Sequence, residues 1–174
     1  MTDLLEINGF DSVMVVVDHG FTKGLIFIPC NKTTDALGAV DLYLHHVYTQ
    51  FGLPDKIISD RDPRFASHLY QQLGKLLGIK LAMSMAYHPQ TDGETEHVNQ
   101  ELKIYLRIFC SNNPETWKLY LPTAEFAHNQ KHHSAVKNTL FFLMMGYHPH
   151  TLPLAYPKSD VPAAEQRIAQ LQRA

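Results

Sequence analysis

The stretch KIISDRDPRFASHLYQQLGKLLGIKLAMSMAYHPQTDGETEHVNQE, residues 56–101, decides the fold. A short apolar run, Ile57–Ile58, predicts a strand that delivers Asp60 at its end. A helical pattern, a second apolar run and a polar loop follow, and Glu96 lies near the start of another predicted helix. Carboxylates presented in this way can hold divalent ions against phosphate oxygens. An Asp after a strand and a Glu in a helix are also a common surface arrangement.

Hydrophobic periodicity and turn residues predict an α/β chain on both sides of this stretch. Loop Ala86–Gly93 is polar and contains Pro89. Pro122 is expected to kink or split the helix that contains it. The predicted strands are Val13–Asp18, Leu25–Pro29, Lys56–Ser59 and Ile79–Met85. The predicted helices are Thr34–Phe51, Phe65–Leu77, Thr95–Cys110, Pro114–Asn129 and Thr139–Gly146, with a linker from Pro149 to Pro162 and a final helical segment from Ala163.

Composition limits the class of protein. The chain has 174 residues with 45% apolar content, which is enough for one domain with a core. Its two cysteines, Cys30 and Cys110, form neither a disulfide framework nor a zinc pattern, and its adjacent histidine pairs lack zinc-ligand spacing. No apolar run reaches the ~18–20 residues of a membrane helix. We therefore expect no structural zinc, no membrane partner and no small-molecule substrate.

Several polar residues permit two interpretations. Asp18 ends a strand, as a catalytic carboxylate can, but it also suits a turn between hairpin strands. Glu96, Asn99 and Lys103 recur at helical spacing and therefore share a face, on which Asn99 and Lys103 could extend toward phosphates. Lys103 and Arg107 are equally consistent with solvated surface charges.

Five segments together resemble a known family. They are FDSVMVVVDHGFTKGLIFIPC (Phe10–Cys30), YTQFGLPDKIISDRDPRF (Tyr48–Phe65), AYHPQTDGETEHVNQELK (Ala86–Lys103), WKLYLPTAEFAHN (Trp117–Asn129) and MMGYHP (Met144–Pro149). In this order they resemble the integrase catalytic core of Ty3/gypsy-type long-terminal-repeat retroelements, and the likeness covers nearly the whole chain.

The resemblance implies an RNase H-like fold, with a five-stranded mixed sheet flanked by helices and its first strand shortened or missing. It implies polynucleotidyl transfer with Mg²⁺ or Mn²⁺ as cofactor. Asp60 and Glu96 would then be the catalytic and metal-binding residues, the second and third members of a triad. The nucleic-acid-binding residues implied by the same match are Tyr87, His88, Gln90, Asn99 and Lys103.

The resemblance also implies element-end DNA and target DNA as partners, a homo-oligomer, synthesis within a polyprotein and action in the nucleus. We expect the core to occupy residues 1–152, with a linker and helix over 153–174. The first catalytic Asp is expected about two residues before Met1, and Asp3, Asp11 and Asp18 do not occupy its position. With a net charge of −2, the isolated chain is expected to bind DNA weakly.

Two alternatives remain. The chain could be an integrase-derived fragment that binds nucleic acid or protein without catalysis. A host nuclease of RNase H-like fold fits less well, because the loop and helix motifs match integrases.

Overall fold

The computed structural model describes residues 4–59, 68–83, 89–150 and 161–173. The strands are β1 (Ser12–Val17), β2 (Leu25–Cys30), β3 (Lys56–Ser59) and β4 (Lys80–Met83). The helices are α1 (Ala36–Tyr43), which continues through a π-helical turn (Leu44–Tyr48) into α2 (Thr49–Phe51), then α3 (His68–Leu77), α4 (Pro89–Phe109), a 3₁₀ turn (Pro114–Thr116), α5 (Trp117–Asn129), α6 (Leu140–Met145) and α7 (Pro162–Arg173). No helix among these residues is long and apolar enough to cross a bilayer.

The chain divides into two compact units. The first comprises Met1–Val16 and Ile26–Glu101, and the second comprises Val17–Leu25 and Leu102–Ala174. The division falls inside the first hairpin and inside α4, so each of these elements contributes to both units.

β1 and β2 form an antiparallel hairpin, because their ends pair in reverse order. The Asp11 N–H donates to the carbonyl of Cys30 at 3.2 Å, and the Asp18 N–H donates to that of Gly24 at 2.9 Å. β-branched residues suit such a pleated, half-buried surface. Val13 is 1% exposed, which places it in the core.

The helical segment after the hairpin begins later than the sequence predicts. Asp35 caps α1, since its carboxylate accepts the Gly38 N–H at 2.8 Å. Thr33 and Thr34, which could also cap a helix by residue type, do not cap this one, and the Thr34 hydroxyl instead accepts the Asn31 N–H. Leu37 begins the apolar repeat Leu37, Val40, Leu44 and Val47, yet it lies in the first turn of α1 and is 53% exposed.

β3 and β4 pair in parallel, and the register runs from Lys56 opposite Lys80 to Ser59 opposite Met83. The described strands therefore form two two-stranded sheets, one antiparallel and one parallel. This agrees with the predicted α/β class and its mixture of strand directions. A single mixed sheet would need a strand that bonds to both pairs, and the described residues contain none.

Helix α4 corrects the predicted loop Ala86–Gly93, because the chain is already helical from Pro89. Proline suits the first helical position, where its missing N–H has no helical acceptor. Gly93 lies inside the helix at a cost of roughly 1 kcal/mol relative to alanine. The long apolar stripe of α4 offsets that cost, since Val98, Leu102 and Leu106 are all buried.

Helix α5 corrects a second expectation, because Pro122 lies within it and does not divide it. One turn of the hydrogen-bond ladder is weakened at such a proline. Buried side chains one turn apart on both sides of Pro122, Trp117, Leu121 and Ala124, stabilise the helix. Trp117 is 2% exposed, which places it in the core.

Within the second unit, the Asn129 side chain forms two hydrogen bonds with the backbone of Leu25, as a residue of a neighbouring strand would. Its Oδ1 accepts the Leu25 N–H at 2.9 Å, and its Nδ2 donates to the Leu25 carbonyl at 2.9 Å. Asn129 is 6% exposed and ends α5, so the start of β2 is attached to the end of a helix 104 residues away. A side chain at the neighbouring Gly24 would collide with Leu140 of α6.

We predict that Asn129→Leu destabilises the protein by about 3 kcal/mol, because each of two buried backbone groups loses its partner at a cost of ≈ 1–3 kcal/mol. Gln130→Leu is the matched control, since Gln130 follows Asn129 and only its backbone N–H bonds to the helix. Urea unfolding followed by circular dichroism measures both. Equal midpoints for the two variants would contradict this role of Asn129.

Candidate functional site

The carboxyl ends of β3 and β4 lie side by side. Ser59 and Met83 are register partners, and the Ser59 hydroxyl approaches the Met83 sulfur at 3.6 Å. Asp60 follows Ser59 directly and lies outside the described residues.

The connection to α4 leaves the same edge of the sheet. Met83 ends β4, and after five intervening residues Pro89 begins the helix that carries Glu96. Glu96 is exposed, and no hydrogen bond or ion pair engages it in the part of the chain that the structure describes. An open carboxylate of this kind is a suitable ligand for a hard divalent ion.

Asn99 and Lys103 follow Glu96 along α4 and have different surroundings. The Oδ1 atom of Asn99 is buried and has no hydrogen-bond partner among the described residues. Such an atom is uncommon in folded proteins and calls for a specific explanation. The side chain of Lys103 is exposed, as is that of Arg107. Glu96, Lys103 and Arg107 are thus among the charged side chains that α4 exposes to solvent.

The other predicted DNA-contacting residues are Tyr87, His88 and Gln90. Tyr87 and His88 lie outside the described residues. Gln90 lies in the first turn of α4. The predicted contact of these residues with DNA therefore stays a prediction.

Asp18 is a turn residue, as one of its two interpretations predicts. Its carboxylate accepts the N–H groups of Gly20 and Thr22 at 2.9 and 2.8 Å, and the Thr22 hydroxyl at 2.7 Å. Burial alone would raise the pKa of this carboxyl, but the bonds from Thr22, Gly20 and Phe21 together lower it below 3.8. These bonds occupy the carboxylate within its own turn.

The other carboxylates near the start of the chain are Asp11 and Asp3. Asp11 is 8% exposed and accepts the Lys32 N–H at 2.7 Å. Sequence reasoning missed this anchor, because no local pattern links residues 21 positions apart. Asp3 lies outside the described residues. Among the residues that are described, no three His, Cys, Asp or Glu side chains converge on a possible metal position.

Comparison with known proteins places the chain among transposon proteins. It is 34% identical over 157 residues to the Tf2-3 polyprotein of Schizosaccharomyces pombe (strain 972 / ATCC 24843), and equally to the Tf2-4 polyprotein of that strain. The aligned part is 90% of this chain but 12% of each polyprotein, so the chain spans about an eighth of their length. No family model matches.

Solved structures show the fold. The integrase catalytic core domain of HTLV-2, in a trimeric form with magnesium, aligns with a TM-score of 0.59 at 20% identity and covers 74% of this chain and 81% of its own. A simian T-cell lymphotropic virus intasome in complex with the PP2A regulatory subunit B56 gamma aligns at 0.55 and 20% identity, over 86% of this chain and 58% of that one. The predicted RNase H-like integrase-core fold is thereby confirmed.

Asp18 and Glu96 allow a comparison of stability between a carboxylate that accepts hydrogen bonds and an exposed one that accepts none from the described residues. We predict that Asp18→Asn lowers stability by about 1 kcal/mol near neutral pH, because the turn loses charged hydrogen bonds in a solvent-screened place. Glu96→Gln should stay within about 0.5 kcal/mol of the parent protein.

The stabilisation by Asp18 should depend on pH in a defined direction. Because folding lowers the pKa of Asp18, its contribution is present above pH 3.8 and is lost as the pH falls through the folded value. Urea titrations across this acid range should show the parent converging on Asp18→Asn. A constant gap between the two down to the lowest pH would contradict the assignment.

Proposed function

Because the chain belongs to the integrase catalytic cores of Ty3/gypsy-type retrotransposons, we propose that it serves DNA integration by metal-dependent polynucleotidyl transfer. In this reaction water first cleaves a phosphodiester near the 3′ end of the element DNA. The freed 3′ hydroxyl oxygen then attacks a phosphorus atom of the target DNA. One P–O bond forms as another breaks in line with it, and the target's 3′ oxygen leaves.

The observation that supports this proposal most is the common edge of β3 and β4. Ser59 and Met83 are partners at that edge. The chain continues from Ser59 into Asp60 and from Met83 toward α4, which carries Glu96. Side chains that follow neighbouring parallel strands at the same edge start close together, because such strands lie ≈ 4.7–4.9 Å apart.

Asp60 and Glu96 are the proposed ligands of Mg²⁺ or Mn²⁺. Both offer only oxygen donors, which hard cations prefer, and Glu96 is exposed with no competing bond to the described residues. When bound, the ions supply positive charge to the attacked phosphate and to the entering and leaving oxygens. The chain's own carboxylates fix the place at which that charge acts.

The other proposed residues orient the DNA. Lys103 is exposed on α4 and reaches phosphate oxygens as a flexible point charge. The buried Oδ1 of Asn99 has no partner in the part of the chain that the structure describes, so we propose that its amide changes orientation when DNA or a metal ion binds nearby. Tyr87, His88 and Gln90 complete the proposed contact with the element end.

We propose that the working protein is larger than this chain. The polyprotein relatives support its synthesis within a retrotransposon polyprotein, and integration would take place in the nucleus. The trimeric and dimeric integrase cores of HTLV-2 support a homo-oligomer. Element-end DNA and target DNA are its proposed partners.

Strand transfer on an oligonucleotide with Mn²⁺ tests the proposal. We expect a polypeptide of residues 1–174 alone to be nearly inactive, because the resemblance places the first catalytic Asp upstream of Met1. A version extended by a strand that carries this Asp should be active. In that version Glu96→Gln or Asp60→Asn should lower the rate by at least ~10²–10³, the usual effect of one lost transition-state contact.

Asp41→Asn is the matched control, because Asp41 is an exposed carboxylate of α1 in the first unit and should leave the rate unchanged. Equal activity with and without the extension, abolished by Glu96→Gln, would show that a residue within the chain completes the site. An active enzyme indifferent to Glu96→Gln would refute the proposal. DNA binding without activity in every version would favour the non-catalytic alternative.

A further inference from the structure

One face of the parallel β3–β4 pair carries two cations. Side chains alternate along a strand, so Lys56 and Ile58 of β3 share a face with Lys80 and Ala82 of β4. Both lysines are exposed, and Ile58 is 37% exposed. Parallel sheets are normally covered on both faces. This face is therefore open where a covering partner is usual.

The opposite face has a different character. Ile57 and Leu81, which are register partners, line an apolar cavity of about 40 Å³ together with residues of the first helical segment and of α3. Apolar side chains thus occupy the inner face, while ammonium groups occupy the outer one. The inner face of the β3–β4 pair therefore packs against the protein's own core, and the outer face is suited to a binding partner outside the chain.

Lys56 and Lys80 are direct register partners on strands ≈ 4.7–4.9 Å apart. The Lys80 N–H donates to the Asp55 carbonyl at 3.0 Å, which fixes the register at this end. Like charges directly opposite each other destabilise a sheet. Neither ammonium group has a hydrogen-bond or ion-pair partner among the residues that the structure describes. Within the described ranges, no carboxylate compensates these two repelling charges.

We propose that Lys56 and Lys80 bind the phosphodiester backbone of a nucleic acid. Two adjacent ammonium groups can contact one phosphate or two successive ones, and a bound anion removes their mutual repulsion. The inference rests on the proposed function, which supplies a polyanionic partner. An acidic protein is less favoured, because Ile58 is the one large apolar side chain that these four positions offer it.

The contact is separate from the proposed catalytic edge. Lys56 begins β3 and Ser59 ends it, so three steps of ≈ 3.3 Å, or about 10 Å, separate their Cα atoms along the strand, and Asp60 follows Ser59 in the sequence. A phosphate held by Lys56 and Lys80 is therefore not the one that reacts. The pair would hold another stretch of the same DNA, or the second duplex that strand transfer requires.

Lysines on exposed strands also have a protective use, because they discourage association between sheet edges. That explanation predicts aggregation when the lysines are neutralised and no change in DNA affinity. The phosphate explanation predicts weaker DNA binding, a smaller salt dependence and a folded state at least as stable as before.

The experiment measures binding of a labelled duplex oligonucleotide to the whole chain at several low salt concentrations. For Lys56→Gln/Lys80→Gln we expect weaker binding and a slope of log K against log salt that is smaller by about 0.9 for each lost phosphate contact. Lys75→Gln is the matched control, because Lys75 is an exposed lysine on α3 and lies on neither strand. Lys56→Arg/Lys80→Arg should restore the parent's slope, and the Gln double variant should unfold at the same or a higher urea concentration.

The inference is overturned if the Gln double variant binds DNA as Lys75→Gln does, or if only its aggregation changes. Equal competition by polyglutamate and by DNA would point to an acidic protein partner and would also overturn it. If Lys103→Gln weakens DNA binding while Lys56→Gln/Lys80→Gln does not, this inference fails and the proposed function stands. If the parent binds no DNA even at the lowest salt concentration, this inference fails, and strand transfer by the extended version still tests the proposed function.

Discussion

The hydrogen-bonded register between β3 and β4 is the constraint on which the proposed chemistry depends. It begins where the Lys80 N–H meets the Asp55 carbonyl, and it ends where Ser59 and Met83 lie side by side. A shift by one residue would turn every side chain to the other face of the sheet. Ile57 would then leave the apolar cavity, and the chain leading to Asp60 would no longer leave the sheet beside the chain leading to α4.

Much of this pair could be read from the sequence, because its signals are local. The apolar run before Asp60, the glycine that ends α3 and the following apolar run each predict their element, and the structure has both strands. The parallel direction follows from the helix between them, since a crossover of this kind joins parallel strands. The exposed position of Glu96 likewise follows from the helical stripe of Val98 and Leu102 on the other side of α4.

Features that depend on distant partners could not be predicted. Asn129 reads as the last residue of a helix, and nothing near it indicates a double hydrogen bond to Leu25. Asp11 reads as one more early carboxylate, yet it anchors the backbone of Lys32. The start of α4 was predicted wrongly for another reason. Pro89 and Gly93 occur both in turns and in the first turns of helices, and the long apolar stripe that follows them favours the helix.

The central claim is that Asp60 and Glu96 hold the same divalent ion. Diffraction from crystals of the extended protein grown with Mn²⁺, recorded for its anomalous signal, tests this most directly. The account predicts a peak with oxygens of both carboxylates at coordination distance, about 2.0–2.6 Å. Well-ordered Asp60 and Glu96 with carboxyl carbons more than roughly 10 Å apart, too far for two adjacent ions to bridge, would contradict it.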